Sequence, residues 1–110
     1  MRQAKIFFKK EAAGILTQHD DGTFTFRYDD FWIADQSKPA ISLTLPKSVQ
    51  MYHSTDLFPF FYNMLPEGSN KQVVCMFMRI DEDDYFGLLL ATAKNDTIGA
   101  VTVTTIQEPT

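Results

Sequence analysis

The stretch TFTFRYD, residues 23–29, alternates without a break. Phe24, Phe26 and Tyr28 fall on one side of an extended chain, and Thr23, Thr25 and Arg27 on the other. That period of two is expected of a strand with one face on a core. Just before it, His19-Asp20-Asp21-Gly22 makes a turn, since Asp-Gly tolerates the positive φ of a tight hairpin. Working back, AKIFFK (4–9) is an apolar run of strand length, and Gly14-Ile15-Leu16-Thr17 follows a short polar break. Working forward, Asp29-Asp30 is an acidic turn and Phe31-Trp32-Ile33 a short apolar step. Pro39 precedes a further alternating strand, ISLTLP (41–46), with Ile41, Leu43 and Leu45 inward and Pro46 ending it. Tyr52 and His53 read as loop.

The second half changes period. Residues 57–65 place Phe58, Phe61, Tyr62 and Leu65 at helical spacing, and Pro59 sits early, where a missing N–H costs little. Pro66-Glu67-Gly68 breaks this helix. Ser69, with Gln72 three residues on, forms a capping box for a second helix running to about Ile80. That helix is expected to bury Val73, Val74, Phe77 and Ile80. Asp81–Asp84 starts a third, its carboxylates at the end where the helix dipole favours negative charge, with a stop near Lys94-Asn95-Asp96. Residues 99–106 make a β-branched closing strand. The fold class expected is α+β: a small, mostly antiparallel β-sheet, a cluster of about three short helices and a closing C-terminal strand.

Composition narrows the function. At 110 residues the chain supports one domain, 1–110, burying about 60–70% of the surface its unfolded form exposes. The net charge of -4 and the scattered Lys and Arg argue against direct nucleic-acid binding, which needs a basic patch. No apolar run approaches the roughly 20 residues of a membrane span, and the N-terminus has no signal-peptide core. A cytoplasmic location is expected, in keeping with the single Cys75, read as a buried, inert thiol.

No residue constellation points to catalysis or a cofactor. His19 and His53, the two histidines, lack the companions and spacing of a metal site. The acidic run at 81–84 lacks the pattern of a calcium loop, and a helix start explains it. There is no nucleophile elbow and no phosphate-binding glycine loop. What stands out is ten Phe, four Tyr, one Trp and five Met, residue types enriched at interfaces. Phe24, Phe26, Phe77 and Leu89 are assigned to the core. A small sheet with three helices cannot easily bury all the rest, so the residues themselves describe a non-enzymatic interaction module.

The order of GILTQ, FTFRYDDFWIAD, PAISLTLP, LFPFFYNMLPEGSNKQ and DDYFGLLLATAKNDTIGAVTV resembles the N-terminal subdomain of HipA-type Ser/Thr kinases. The matching residues are Tyr28-Asp29, Trp32, Ile41–Pro46, Phe60-Phe61 and Leu65–Gly68. Downstream they are Asp84, Phe86, Leu88-Leu89, Asp96 and Gly99-Ala100-Val101. The likeness runs over about residues 12–105, and it implies that the kinase core lies outside this chain. A free-standing copy is similar to HipS, the small component of HipBST toxin-antitoxin systems. The resemblance then implies a partner, a separately encoded HipT/HipA-type Ser/Thr kinase that this protein binds and neutralises. A HipB-like protein would supply the DNA-binding function, and translation would be the process under control.

Carried onto this sequence, the partner-binding residues are Asn63, Met64, Leu65, Glu67, Gly68, Ser69 and Asn70, with Trp32 a further candidate. One departure bears on mechanism. HipS-type proteins can carry a Trp just after the LPEG turn, where this chain has Ser69. Inhibition through other residues of the turn therefore stands beside an alternative, a structural subunit that completes a split kinase or docks it to a HipB-like protein.

Overall fold

Five strands form one antiparallel sheet in the computed structural model, which describes residues 1–65, 68–92 and 101–106. Strands β1 (Arg2–Phe8), β2 (Glu11–Gln18), β3 (Phe24–Tyr28) and β4 (Met51–Ser54) are successive neighbours. The closing strand β5 (Val101–Thr105) returns to the other edge of β1, giving the order β4-β3-β2-β1-β5. The register places Tyr52, Phe26, Leu16 and Ala4 in one row, and Tyr28, Gly14, Ile6 and Val103 in another. Directly paired residues share a face, so these rows build one apolar surface. The opposite face carries Gln3, Thr17, Thr25 and His53 in a polar row. There the Thr25 hydroxyl bonds His19 Nε2 at 2.7 Å and His53 Nδ1 at 3.3 Å.

Helices cover the apolar face. On α1 (Asp30–Ala34), Trp32 meets Phe8 edge-on at 5.9 Å. On α2 (Pro59–Tyr62), Phe61 packs on Phe26 at 5.8 Å. On α4 (Tyr85–Thr92), Phe86 stacks on Phe24 at 6.3 Å. The fourth, α3 (Gly68–Met78), reaches the core through Cys75, with Val74 half-buried beside it.

The acidic run does not start a helix at Asp81; it forms the turn that leads to one. Asp84 donates its backbone N–H to the Asp81 carbonyl at 3.0 Å. Its side chain then caps α4, with Oδ1 accepting the Gly87 N–H at 3.1 Å, the partner expected of an N-cap aspartate. A Cβ at 87 would press on that same carboxylate, so a larger residue there would push the cap aside.

Other expectations change too. ISLTLP is a turn, with the Leu45 N–H on the Ser42 carbonyl at 3.1 Å. Ile41 and Leu45 are buried as expected, but Leu43 is wholly exposed. Ser42 is the reason: its hydroxyl bonds the Thr44 N–H and hydroxyl, and such local bonds compete with a strand ladder. The strand lies instead at Met51–Ser54, where Tyr52 and Ser54, opposite Phe26 and Phe24, face the covered side and only Tyr52 is large. The short apolar step at 31–33 is helical, and the helix expected over 57–65 is a single turn, with Phe58, Phe61 and Leu65 buried and Tyr62 exposed. Ser69 lies within α3, which begins at Gly68, so it does not cap that helix from outside. The expected stop at 94–96, and Gly99-Ala100 of the closing strand, lie outside the described residues.

What fixes the 41–45 turn is Tyr28. Its buried hydroxyl accepts the Ile41 N–H at 3.1 Å and donates to the Leu45 carbonyl. Burial pushes its phenol above the usual value, against the opposing pull of the Ile41 N–H. The unfolded chain ionises this group first, so its contribution is complete below about pH 10 and is lost as pH rises through the raised folded value. Tyr28→Phe should cost about 1–3 kcal/mol by leaving buried backbone groups unpaired. Urea denaturation should show the gap between the two proteins narrowing above about pH 10.

Candidate partner-binding surface

The loop after β4 brings Leu57 and Phe58 into the core, and Pro59 opens α2 at its first turn. Tight bonds continue beyond the helix: the Met64 N–H donates to the Phe61 carbonyl and the Leu65 N–H to the Tyr62 carbonyl, both at 3.1 Å. This pins Leu65 inward and leaves Asn63 exposed, with Met64 half-buried between them. Gly68, Ser69 and Asn70 form the first turn of α3. Pro66 and Glu67 lie outside the described residues. Thus Asn63 and Met64 precede α3 closely in the chain, while Leu65 anchors them in the core.

Trp32 belongs elsewhere. It is 1% exposed, and its indole N–H donates to the Pro39 carbonyl at 3.0 Å. The Lys38 ammonium lies 5.4 Å from the ring centre. A side chain closed in by Phe8, Pro39 and Lys38 packs the core and presents no accessible face.

The surface that sequence reading missed is the outer side of α3. Val73, Met76 and Phe77 are spaced three and four residues apart and so stand together. They are 52%, 79% and 84% exposed, and neighbouring Met78 is 55% exposed. Both Val73 and Phe77 were expected in the core. The correction has a physical cause: residues 73–78 (VVCMFM) are apolar on every side, and a helix lying on one small core buries only one stripe. Cys75 and Val74 take that stripe. At the far end, Arg79 adopts a left-handed φ of 55° and the Ile80 N–H returns to the Cys75 carbonyl at 3.0 Å. This is a Schellman stop, with arginine where glycine is usual.

Ion pairs tie the start of β1 to its neighbours. The Arg2 guanidinium forks onto Asp84 at 2.6 and 3.2 Å and holds that carboxyl below its usual range. Asp20 takes the N-terminal amine, and Asp21 accepts the Thr23 hydroxyl at 2.6 Å. Among the described residues, no three His, Cys, Asp or Glu side chains are placed to hold a metal ion. Nor is any of their helices long and apolar enough to cross a membrane.

This sheet, with its helices on one face, has known counterparts. The HipA N-terminal domain family profile matches residues 4–104. The chain belongs to the HipA N-terminal domain family. A solved structure, the N-terminal domain of HipA toxin, superposes with a TM-score of 0.73 at 31% identity, covering 99% of this chain and 96% of that one. An uncharacterized protein of Haemophilus influenzae is 35% identical over 103 residues, which is 94% of this chain and 92% of the relative. In Sinorhizobium fredii, the relative named "Putative kinase Y4mE" is 27% identical over 89 residues, only 21% of its length. The HipA N-terminal domain is the non-catalytic part of HipA, and here it carries the α+β architecture and the unpaired apolar helix face.

The two classes of aromatic residue should separate cleanly in stability. Phe77→Ala should change the unfolding free energy by no more than about 0.5 kcal/mol. Phe61→Ala, at a site with no exposure, should cost about 3–5 kcal/mol. Urea titration of both variants at neutral pH checks the difference.

Proposed function

We propose that this protein is a non-catalytic interaction module, a single domain over residues 1–110, that binds and neutralises a separately encoded HipA-type Ser/Thr kinase in the cytoplasm. The observation behind this reading is the exposed stripe Val73, Met76 and Phe77. It lies on a domain that occupies only about a fifth to a quarter of the length of the kinase-named relatives it matches. Aromatic and Met side chains concentrated on one helix face are the composition of an interface centre. The proposed surface joins that stripe to Asn63, Met64, Glu67, Gly68, Ser69 and Asn70, with Leu65 as the buried anchor beneath.

A second reading rests on Ser69. Where HipS-like proteins can present a bulky Trp to the kinase, this chain has a small side chain within the first turn of α3. A module without that wedge fits a structural subunit that completes a split kinase or supports its docking to a HipB-like protein.

Co-expression with a HipA-type kinase lacking this domain, sought first in the adjacent reading frames, distinguishes these readings. Relief of growth arrest, together with co-purification of the pair, supports neutralisation. A stable complex with undiminished arrest supports the structural subunit, and failure to form a complex overturns both. Within a complex, the double change M76E/F77E should weaken binding by about 30-fold or more, as expected for an interface centre. Glu67→Arg should weaken it as well if the turn is in contact.

A further inference from the structure

Between the β2–β3 turn, the loop after β4 and the start of α4 lies an open groove of about 350 Å3. Phe24, Tyr62 and Tyr85 supply its aromatic walls, and Asp56, Asp83 and Gln18 its polar lining. Tyr62 and Tyr85 meet edge-on at 5.4 Å. Among the described residues, neither Asp56 nor Asp83 forms an ion pair. Tyr62, in one wall of the groove, directly precedes Asn63 of the proposed partner surface in the chain.

The molecule already shows, next to this groove, what such a lining holds. The Arg2 guanidinium lies 5.1 Å from the centre of the Phe86 ring, forks onto Asp84, and donates through Nε to Gln18 Oε1 at 2.8 Å. Aromatic face, carboxylate and Gln18 together satisfy one planar cation. The groove offers aromatic walls and two carboxylates of its own beside Gln18, whose Oε1 is already taken by Arg2, and no guanidinium lies among its lining residues. The Lys71 ammonium, 5.2 Å from the Tyr85 ring centre, shows that this ring attracts cations but leaves Asp56 and Asp83 unmatched. A guanidinium suits the site better than an ammonium because its flat, weakly hydrated face stacks on aromatic rings while its edge bonds carboxylates.

We propose that this groove is a subsite for an arginine side chain of the protein's macromolecular partner. The chemistry of the subsite stands on the groove alone; only the assignment of that arginine to a kinase rests on the function proposed above. The occupant follows from charge complementarity, with unpaired carboxylates beside aromatic walls in a chain of net charge -4.

The test titrates N-acetyl-arginine-methylamide into the isotope-labelled protein and follows backbone amide shifts. The neutral isostere N-acetyl-citrulline-methylamide is the control. The expected result is a saturable set of shifts confined to Gln18, Gly22, Thr55–Leu57, Asp83 and Tyr85, absent with the citrulline probe. The double variant D56N/D83N, changed at two exposed side chains, should keep the parent spectrum elsewhere and bind several-fold more weakly. Equal shifts with citrulline, unchanged affinity in the double variant, shifts spread over the whole acidic surface, or no shifts at all would each overturn the subsite. If the kinase is captured normally while the arginine probe fails, the groove assignment falls and the kinase reading stands. If the probe binds but no kinase is captured, the reverse holds.

Discussion

The arrangement of the middle of the chain depends on one hydroxyl group. Tyr28 ends β3 with its ring in the core, edge-on to Phe26 at 4.8 Å, and its oxygen satisfies both sides of the 41–45 turn. Without that oxygen, a buried N–H and a buried carbonyl would each lack a partner, a state folded proteins rarely tolerate. The backbone of the same residue ties in the approach to β4. The Tyr28 N–H donates to the Gln50 carbonyl at 2.9 Å, and the Gln50 side chain returns to the Tyr28 carbonyl at 3.0 Å. Tyr52 completes the tie by donating to the Pro46 carbonyl at 2.6 Å. The long excursion from α1 to β4 is therefore held not by sheet pairing but by polar contacts to Tyr28, Tyr52, Trp32 and Lys47 and by the burial of Ile41 and Leu45.

That arrangement explains what could be read from the sequence and what could not. Strong period-two alternation with one apolar side, as at 23–29, survives folding because burial of Phe24, Phe26 and Tyr28 is worth more than any local alternative. The same alternation at 41–46 does not survive, since Ser42 and Thr44 bond to each other and the paired sites are supplied by Tyr28. β4 was hidden for the opposite reason. Met51–Ser54 is a short edge strand with one large apolar side chain on its covered side, and its pairing to β3 is a property of the sheet, not of its own pattern.

The candidate surface was legible only in part. Of the residues that the family resemblance pointed to, Asn63 is exposed, Met64 is half-buried and Leu65 turned inward. Apolar character alone could not divide residues 73–78 into inside and outside, because the pattern is uniform and the decision rests on where α3 crosses the core. Trp32 was ambiguous by type: a large aromatic serves a core or an interface equally well, and only the Pro39 carbonyl and the Phe8 ring decide the matter.

The thin attachment of α3 has a consequence for the protein's lifetime. A helix joined to the core chiefly through Cys75 and Val74 opens at lower free energy than the sheet beneath it. Its opening exposes more apolar surface still, which cellular proteases and chaperones recognise. Any molecule that covers Val73, Met76 and Phe77 in the closed form draws the helix shut by mass action. The abundance of this protein would then follow the supply of whatever binds α3, so that an unaccompanied copy is removed and an accompanied one persists.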